Sequence, residues 1–336
     1  MLVDGGIGSD LAKAAAAAQG QEELGFDGLW AAETNHDPFL ALTLAAEHTE
    51  RIQLGTGIAV AFARSPMTLA TTAYNLNSFA EGRFLLGLGS QIKPHIERRF
   101  SMPWSSPAAR MKEFVQAMQA IWASWSDGTK LDFRGDFYQH TLMTPFFDPG
   151  PNEFGAPKVF LAAVGELMTK VAGEVADGLL CHGFTTESYL REVTLPAIAG
   201  GLDAGGRTRP DIELSLPAFI VTGSTEEELA AAAKGTREQI AFYASTPAYR
   251  GVLEHHGWGE LQTELKSLSK EGRWVEMGER IDDDVLRTFA VVAEPAAVAG
   301  ELLARYGDVV DRLSFYTPYK LAPGLLRDTV ETLRAG

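Results

Sequence analysis

Residues 1–11 read Met1-Leu2-Val3-Asp4-Gly5-Gly6-Ile7-Gly8-Ser9-Asp10-Leu11: a short strand-prone run, a glycine cluster and the start of an alanine-rich helix. Two α/β architectures begin this way. An open, doubly wound sheet that binds a dinucleotide needs glycines spaced G-x-G-x-x-G, so that the backbone turns tightly, approaches a pyrophosphate and packs its helix closely. Gly5, Gly6 and Gly8 do not give that spacing, and Leu11 stands where the last glycine belongs. The missing fingerprint favours the alternative, a closed (β/α)8 TIM barrel, with the open sheet as the competing architecture.

The rest of the chain points the same way. Short apolar runs recur at Leu2–Gly8, Gly28–Ala32, Ile52–Ile58, Phe84–Leu88, Val159–Val164, Leu179–His182, Ile212–Val221 and Arg312–Tyr316, with helical stretches between them. Buried strands alternating with amphipathic helices predict a parallel sheet covered by helices. Eight such runs without a central break predict one barrel domain over 1–336. Two stretches do not fit the alternation. Residues 127–157, rich in glycine, proline and aromatics, read as an excursion after strand four whose Tyr138, Phe146 and Phe147 need something to pack on. Residues 243–285 read as a mostly helical insertion after strand seven, followed by an extra extended piece at Phe289–Val292.

Composition narrows the function. Acidic residues outnumber basic ones 44 to 29, for a formal charge of −15, which repels nucleic-acid backbones. A single cysteine, Cys181, excludes a disulfide framework within the chain. The seven histidines show no H-E-x-x-H spacing, so no metal site is expected. With no basic region leading into an apolar run near Met1, the expectation is a cytoplasmic protein that neither binds nor crosses a membrane.

In a closed barrel, chemistry gathers in the loops after the strands' C-terminal ends. The densest polar loop is Glu33-Thr34-Asn35-His36-Asp37-Pro38 after strand two. Glu33, Asn35 and His36 are therefore candidates to orient a ligand or move a proton, whereas Asp37 reads as a helix cap ahead of Pro38. After strand three, Gly57-Ile58 lets a flat ligand approach the backbone. Gly89-Ser90-Gln91 with Lys93 after strand four offers backbone N–H groups, a hydroxyl and an ammonium to an anion, and Arg98 and Arg99 lie just beyond. His182 ends strand six as a further candidate, with Cys181 on the opposite strand face. No G-x-S-x-G elbow and no phosphate-binding loop ending in Lys-Ser/Thr occurs, which leaves redox chemistry or another small-molecule reaction.

Several of these segments carry a family resemblance. Glu23–Trp30 (ELGFDGLW), Leu54–Ile58 (LGTGI), Gly82–Gly89 (GRFLLGLG), Pro157–Ala163 (PKVFLAA) and Ala172–Gly178 (AGEVADG), in that order and spacing, resemble the luciferase-like monooxygenase superfamily. The likeness extends to its coenzyme F420-dependent branch, which includes methylene-tetrahydromethanopterin reductases. The resemblance implies an oxidoreductase transferring a hydride between F420 and a small organic substrate, and a homodimer. The alternatives are an FMN-dependent monooxygenase or a cofactor-free ligand-binding barrel. It implies a cis Gly57-Ile58 peptide under the ring, and a phosphate held near Gly165, with Val164 and Glu166 beside it, and near Gly89–Gln91. Lys93, Arg98 and Arg99 would face the acidic tail of F420, and Glu33 matches a family acid. Thr34 and Ser90 depart from the pattern, standing where the deazaflavin-dependent sugar-phosphate dehydrogenases carry a reactive histidine and a catalytic acid.

Overall fold

The computed structural model describes residues 1–8, 10–322 and 324–335. Eight strands build its centre: β1 (Leu2–Gly6), β2 (Gly28–Ala31), β3 (Gln53–Thr56), β4 (Phe84–Gly89), β5 (Lys158–Ala163), β6 (Gly178–Cys181), β7 (Glu213–Val221) and β8 (Arg312–Tyr316). Each pairs in parallel with the next, and β8 returns to β1 through Leu2↔Arg312 and Val3↔Leu313. The sheet is a closed (β/α)8 barrel, so the open-sheet alternative falls. Ala290–Val292 joins β7 beyond the barrel proper, at Phe219–Val221.

Local sequence explains where the covering helices start. The Asp37 carboxylate accepts from Phe39 N at 2.8 Å and Pro38 opens helix Pro38–Glu47, the capping role expected of Asp37. Ser65 and Pro66 do the same for helix Pro66–Phe79, and Thr225 caps Glu226–Ala244. The run Glu187–Ala204, whose sequence reads as one helix, contains a π-helical segment at Leu190–Thr194. Pro196, just beyond it, has no N–H to donate back to Glu192. Two further helices were not anticipated, Lys93–Arg98 and Arg327–Ala335.

Large side chains fill the barrel because small ones face them. A Cβ on Gly55 would lie 2.4 Å from the Trp30 ring, and one on Gly87 only 1.8 Å from the Thr56 carbonyl oxygen. Trp30 and Phe160 meet edge-on at 5.6 Å in the space this leaves. Below them lies a buried polar knot: Arg312 makes two 2.8 Å hydrogen bonds to the Asp4 carboxylate, and both side chains are about fully buried.

The two irregular stretches behave differently. Within 127–157, Phe133–Arg134 and Gln139–His140 form a small antiparallel hairpin, and Tyr138 packs edge-on against Phe114 while accepting from Arg110 Nε at 2.7 Å. Phe146 and Phe147 do not pack as expected. They remain exposed, in edge contact with each other. Residues 243–285 are helical in pieces: Arg250–His255, Gly259–Lys270, Trp274–Glu279 and the start of Asp283–Phe289. They join a second apolar core with Phe184, Phe219, Ile240, Leu253, Leu265 and Phe289. Burying each such large side chain contributes ~1.5–3 kcal/mol, enough to hold the insertion against the end of β7. Through this packing the insertion reaches the barrel mouth.

Candidate active site

A cavity of about 1280 Å³ opens at the C-terminal end of the barrel. Its lining follows the strand ends in turn: Gly57 and Ile58 after β3, Gly89 through Lys93 at β4, Val164 and Gly165 after β5, His182 and Gly183 after β6, and Tyr316 and Thr317 at β8. Trp30 and Asp4 line its deeper part. The Gly57–Ile58 peptide bond is cis. The segment that contains it is strapped to the loop after β2: Gly57 N donates to Ala31 O at 2.8 Å and Glu33 N donates to Ile58 O at 3.1 Å.

Of the residues singled out from sequence, Gly57, Ile58, Gly89, Ser90, Gln91, Lys93, Val164, Gly165 and His182 line this cavity together. Glu33, Asn35 and His36 do not. The Glu33 carboxylate is turned away, with Oε2 accepting from Val60 N at 2.7 Å and from Arg64 Nη1 at 2.6 Å. Asn35 and His36 are exposed on the loop that follows, Asn35 bonded only to its neighbour Thr34. The catalytic roles expected of these three are thus not supported by their geometry. Loop residues carry no strand alternation to fix which way they point. Arg98 is exposed outside the lining, at the end of a six-residue helix, and Glu166 is exposed in the first turn after Gly165. Arg99 reaches back to the Thr34 carbonyl.

His182 is the one catalytic candidate inside. Phe184 N–H donates to its Nδ1 at 3.0 Å, so the ring proton of the neutral form sits on Nε2, which lies 3.1 Å from the Tyr249 hydroxyl. Tyr249 stacks on the imidazole at 4.5 Å and Tyr243 meets it edge-on at 4.7 Å. Burial among these rings lowers the His182 pKa from 6.5 to about 4, so the group is neutral near pH 7. Beside it Cys181 is buried, which pushes its thiol up to about 12 and makes it inert.

The shift at His182 has a measurable consequence. Below pH 6.5 the unfolded chain takes up a proton that the folded chain refuses until about pH 4. Stability contributed by the neutral ring is therefore complete above pH 6.5 and declines as pH falls towards 4. Between pH 7 and 4.5 wild type should lose on the order of 2–3 kcal/mol more than His182→Phe. Denaturant midpoints of the two proteins test this, and parallel pH profiles would refute it.

Residues that the sequence reading missed complete the site. Tyr316 ends β8 and stacks on Phe219 at 4.6 Å, and its hydroxyl lies 2.6 Å from that of Tyr243. Burial, and then the bond to Tyr243, raise its pKa. The rule that sites gather at strand ends was enough to flag Tyr316. Tyr243 and Tyr249 come from the insertion, which offered no such rule. Arg327, from the last stretch of the chain, lines the cavity with Lys93. Among the described residues, no helix is long and apolar enough to cross a membrane, and no group of three or more His, Cys, Asp or Glu side chains is placed to hold a metal ion.

Comparison with known proteins agrees with this layout. The luciferase-like monooxygenase family model matches residues 2–312. An uncharacterized protein of Mycobacterium tuberculosis is 56% identical over 313 residues, covering 93% of this chain and 92% of its own. An F420-dependent glucose-6-phosphate dehydrogenase of Intrasporangium calvum is 27% identical over 270 residues, covering 76% of this chain and 78% of its own. The fold is also that of a solved coenzyme F420 dependent tetrahydromethanopterin reductase from Methanopyrus kandleri, with a TM-score of 0.77 and 21% identity over 99% of this chain and 97% of that one.

Proposed function

The chain belongs to the luciferase-like monooxygenase family, and from that premise we propose that it is an oxidoreductase transferring a hydride between coenzyme F420 and a small organic substrate. The observation that carries the reading is the cavity itself. It combines Gly57, Ile58 and Gly89 with the aromatic side chains of Trp30, Tyr243, Tyr249, Phe315 and Tyr316 in one lining, around a volume of about 1280 Å³. That exceeds the ~300–1,000 Å³ of an ordinary ligand pocket, so a tricyclic ring and a second molecule fit together.

The residues present suit such a cofactor. The ten-residue helix Glu166–Val175 begins at Gly165 on the cavity edge, and no side chain caps its first N–H groups, which favours a phosphate there. Ser90 and Gln91 add polar groups, and Lys93 and Arg327 give the lining positive charge in a protein of net charge −15. An acidic cofactor tail finds its counter-charge at those two residues, with Arg98 and Arg99 farther out. A reduced deazaflavin supplies a hydride. The chain's part is to hold the ring against Gly57–Ile58, keep the reacting atoms aligned and exclude water. The Intrasporangium relative, F420-dependent by name, supports the choice of carrier. A homodimer acting in the cytoplasm belongs to the same proposal.

Titrating the protein with F420 and, separately, with FMN, followed by absorbance and fluorescence, tests it. F420 should bind with a Kd in the micromolar range or below, and FMN at least tenfold more weakly. Tighter binding of FMN would move the reading to a flavin monooxygenase. Failure of both to bind would leave a ligand-binding barrel without redox chemistry.

A further inference from the structure

Deepening the proposed redox function, on which it rests, a second feature of the cavity concerns the substrate. The side of the cavity built by β6, β7, β8 and residues 243–249 contributes Leu180, His182, Tyr243, Tyr249, Phe315 and Tyr316 among its lining, and no Lys, Arg, Asp or Glu. The charged lining residues are elsewhere: Asp4, neutralised by Arg312, and Lys93 and Arg327. We infer that this uncharged wall is the subsite for a neutral carbonyl or imine compound, and that the Tyr249 hydroxyl is the hydrogen-bond donor to its heteroatom, aimed by His182.

The direction of the hydrogen bonds carries the assignment. Phe184 N–H occupies His182 Nδ1, so Nε2–H donates and Tyr249 Oη accepts. The hydroxyl's own proton has no acceptor among the described residues, and Tyr249 lines the cavity. The Tyr243 and Tyr316 hydroxyls bond each other, and that bond can run either way, so the proton it leaves over has no fixed place. Of these three tyrosines, Tyr249 is the one whose donor direction is fixed.

Burial raises the Tyr249 pKa, which keeps the phenol protonated until a stronger base forms in front of it. A reduced deazaflavin bound in the cavity would supply a hydride to the carbonyl carbon, the π-electron pair moving onto oxygen. Tyr249 passes that oxygen its proton, giving the alcohol, and solvent water reprotonates the phenolate, which His182 Nε2–H stabilises meanwhile. An anionic substrate such as a sugar phosphate would bury its charge on this wall without a partner, which is costly.

The probe is 4-(dimethylamino)cinnamaldehyde, a neutral aldehyde whose absorption moves to the red when its oxygen accepts a strong hydrogen bond. Its carboxylate counterpart, 4-(dimethylamino)cinnamate, serves as the anionic comparison. Wild type should bind the aldehyde with a red shift and the carboxylate at least tenfold more weakly. Tyr249→Phe should abolish the shift and weaken aldehyde binding about tenfold, while its circular dichroism spectrum at assay temperature shows the fold retained. His182→Phe keeps a ring against Tyr249 but removes the Nε2–H, and should shrink the shift. No aldehyde binding, a wild-type shift in Tyr249→Phe, or equal binding of the carboxylate would overturn the subsite. A wild-type shift in His182→Phe would overturn the part given to that residue. Wild-type binding of F420 is measured separately, so failure of the redox reading is distinguishable from failure of this one.

Discussion

Asp4→Ala is expected to destabilise the protein by about 3–5 kcal/mol, because it strands a charge in the centre of the barrel. Arg312 is 1% exposed, and Asp4 gives it both carboxylate oxygens at 2.8 Å. What would remain is Gln53 Oε1 at 2.7 Å and Glu213 Oε2 at 3.2 Å, on a carboxylate whose other oxygen accepts from Lys158. Trp30 Nε1 would also lose its acceptor, since it donates to Asp4 Oδ2 at 2.8 Å. The cost comes from the Arg312 Nε and Nη2 donors and the Trp30 N–H left without their acceptor and not from the lost volume, and a second variant separates these. Asp4→Leu combined with Arg312→Met removes both charges and should recover most of the stability, because a buried pair often contributes little beyond its apolar replacement. Urea unfolding of the single and double variants decides. A double variant as unstable as Asp4→Ala would show that the polar knot itself, and not its broken half, holds the barrel.

That knot also marks a limit of sequence reading. Asp4 and Arg312 are 308 positions apart, Asp4 as the one charge in Leu2–Gly8 and Arg312 as the first residue of its strand, so neither spacing nor period links them. The barrel around them was legible because its signal repeats eight times along the chain, and errors of a residue or two at strand ends do not alter it. At the mouth, legibility followed strand ends. Gly57, Gly89, Gly165 and His182 sit on or immediately after strands, where the backbone fixes their place. Glu33, Asn35 and His36 were found as a polar loop, but whether a loop carboxylate faces the cavity or an arginine is decided by tertiary contacts. Tyr243 and Tyr249 were least legible, because the insertion carrying them is positioned by a second apolar core that forms only once Phe184, Phe219 and Phe289 are brought together.

Glu33, turned from the cavity, is expected to matter to it all the same. Its side chain is 8% exposed, and Oε2 joins Val60 N and Arg64 Nη1 in one place. Arg64 in turn donates to Val60 O at 3.2 Å and Asp37 at 3.2 Å, and lies over the Phe39 ring. With Glu33 N on Ile58 O, these bonds tie residues 58–60 to the loop after β2. Glu33→Ala leaves Val60 N–H and part of a half-buried guanidinium without an acceptor, at a cost of about 2–4 kcal/mol. Since Ile58 is part of the cavity lining, the loosened segment should also weaken F420 binding by tenfold or more, measured by fluorescence well below the melting temperature. Arg64→Ala should shift both quantities in the same direction. Asn35→Ala and His36→Ala, whose side chains are exposed on the same loop, should shift neither by more than about 0.5 kcal/mol, the usual range for surface substitutions. If Glu33→Ala lost stability but bound F420 as wild type does, the strap would serve the fold alone. If His36→Ala lost binding instead, the loop after β2 would have to close over the ligand.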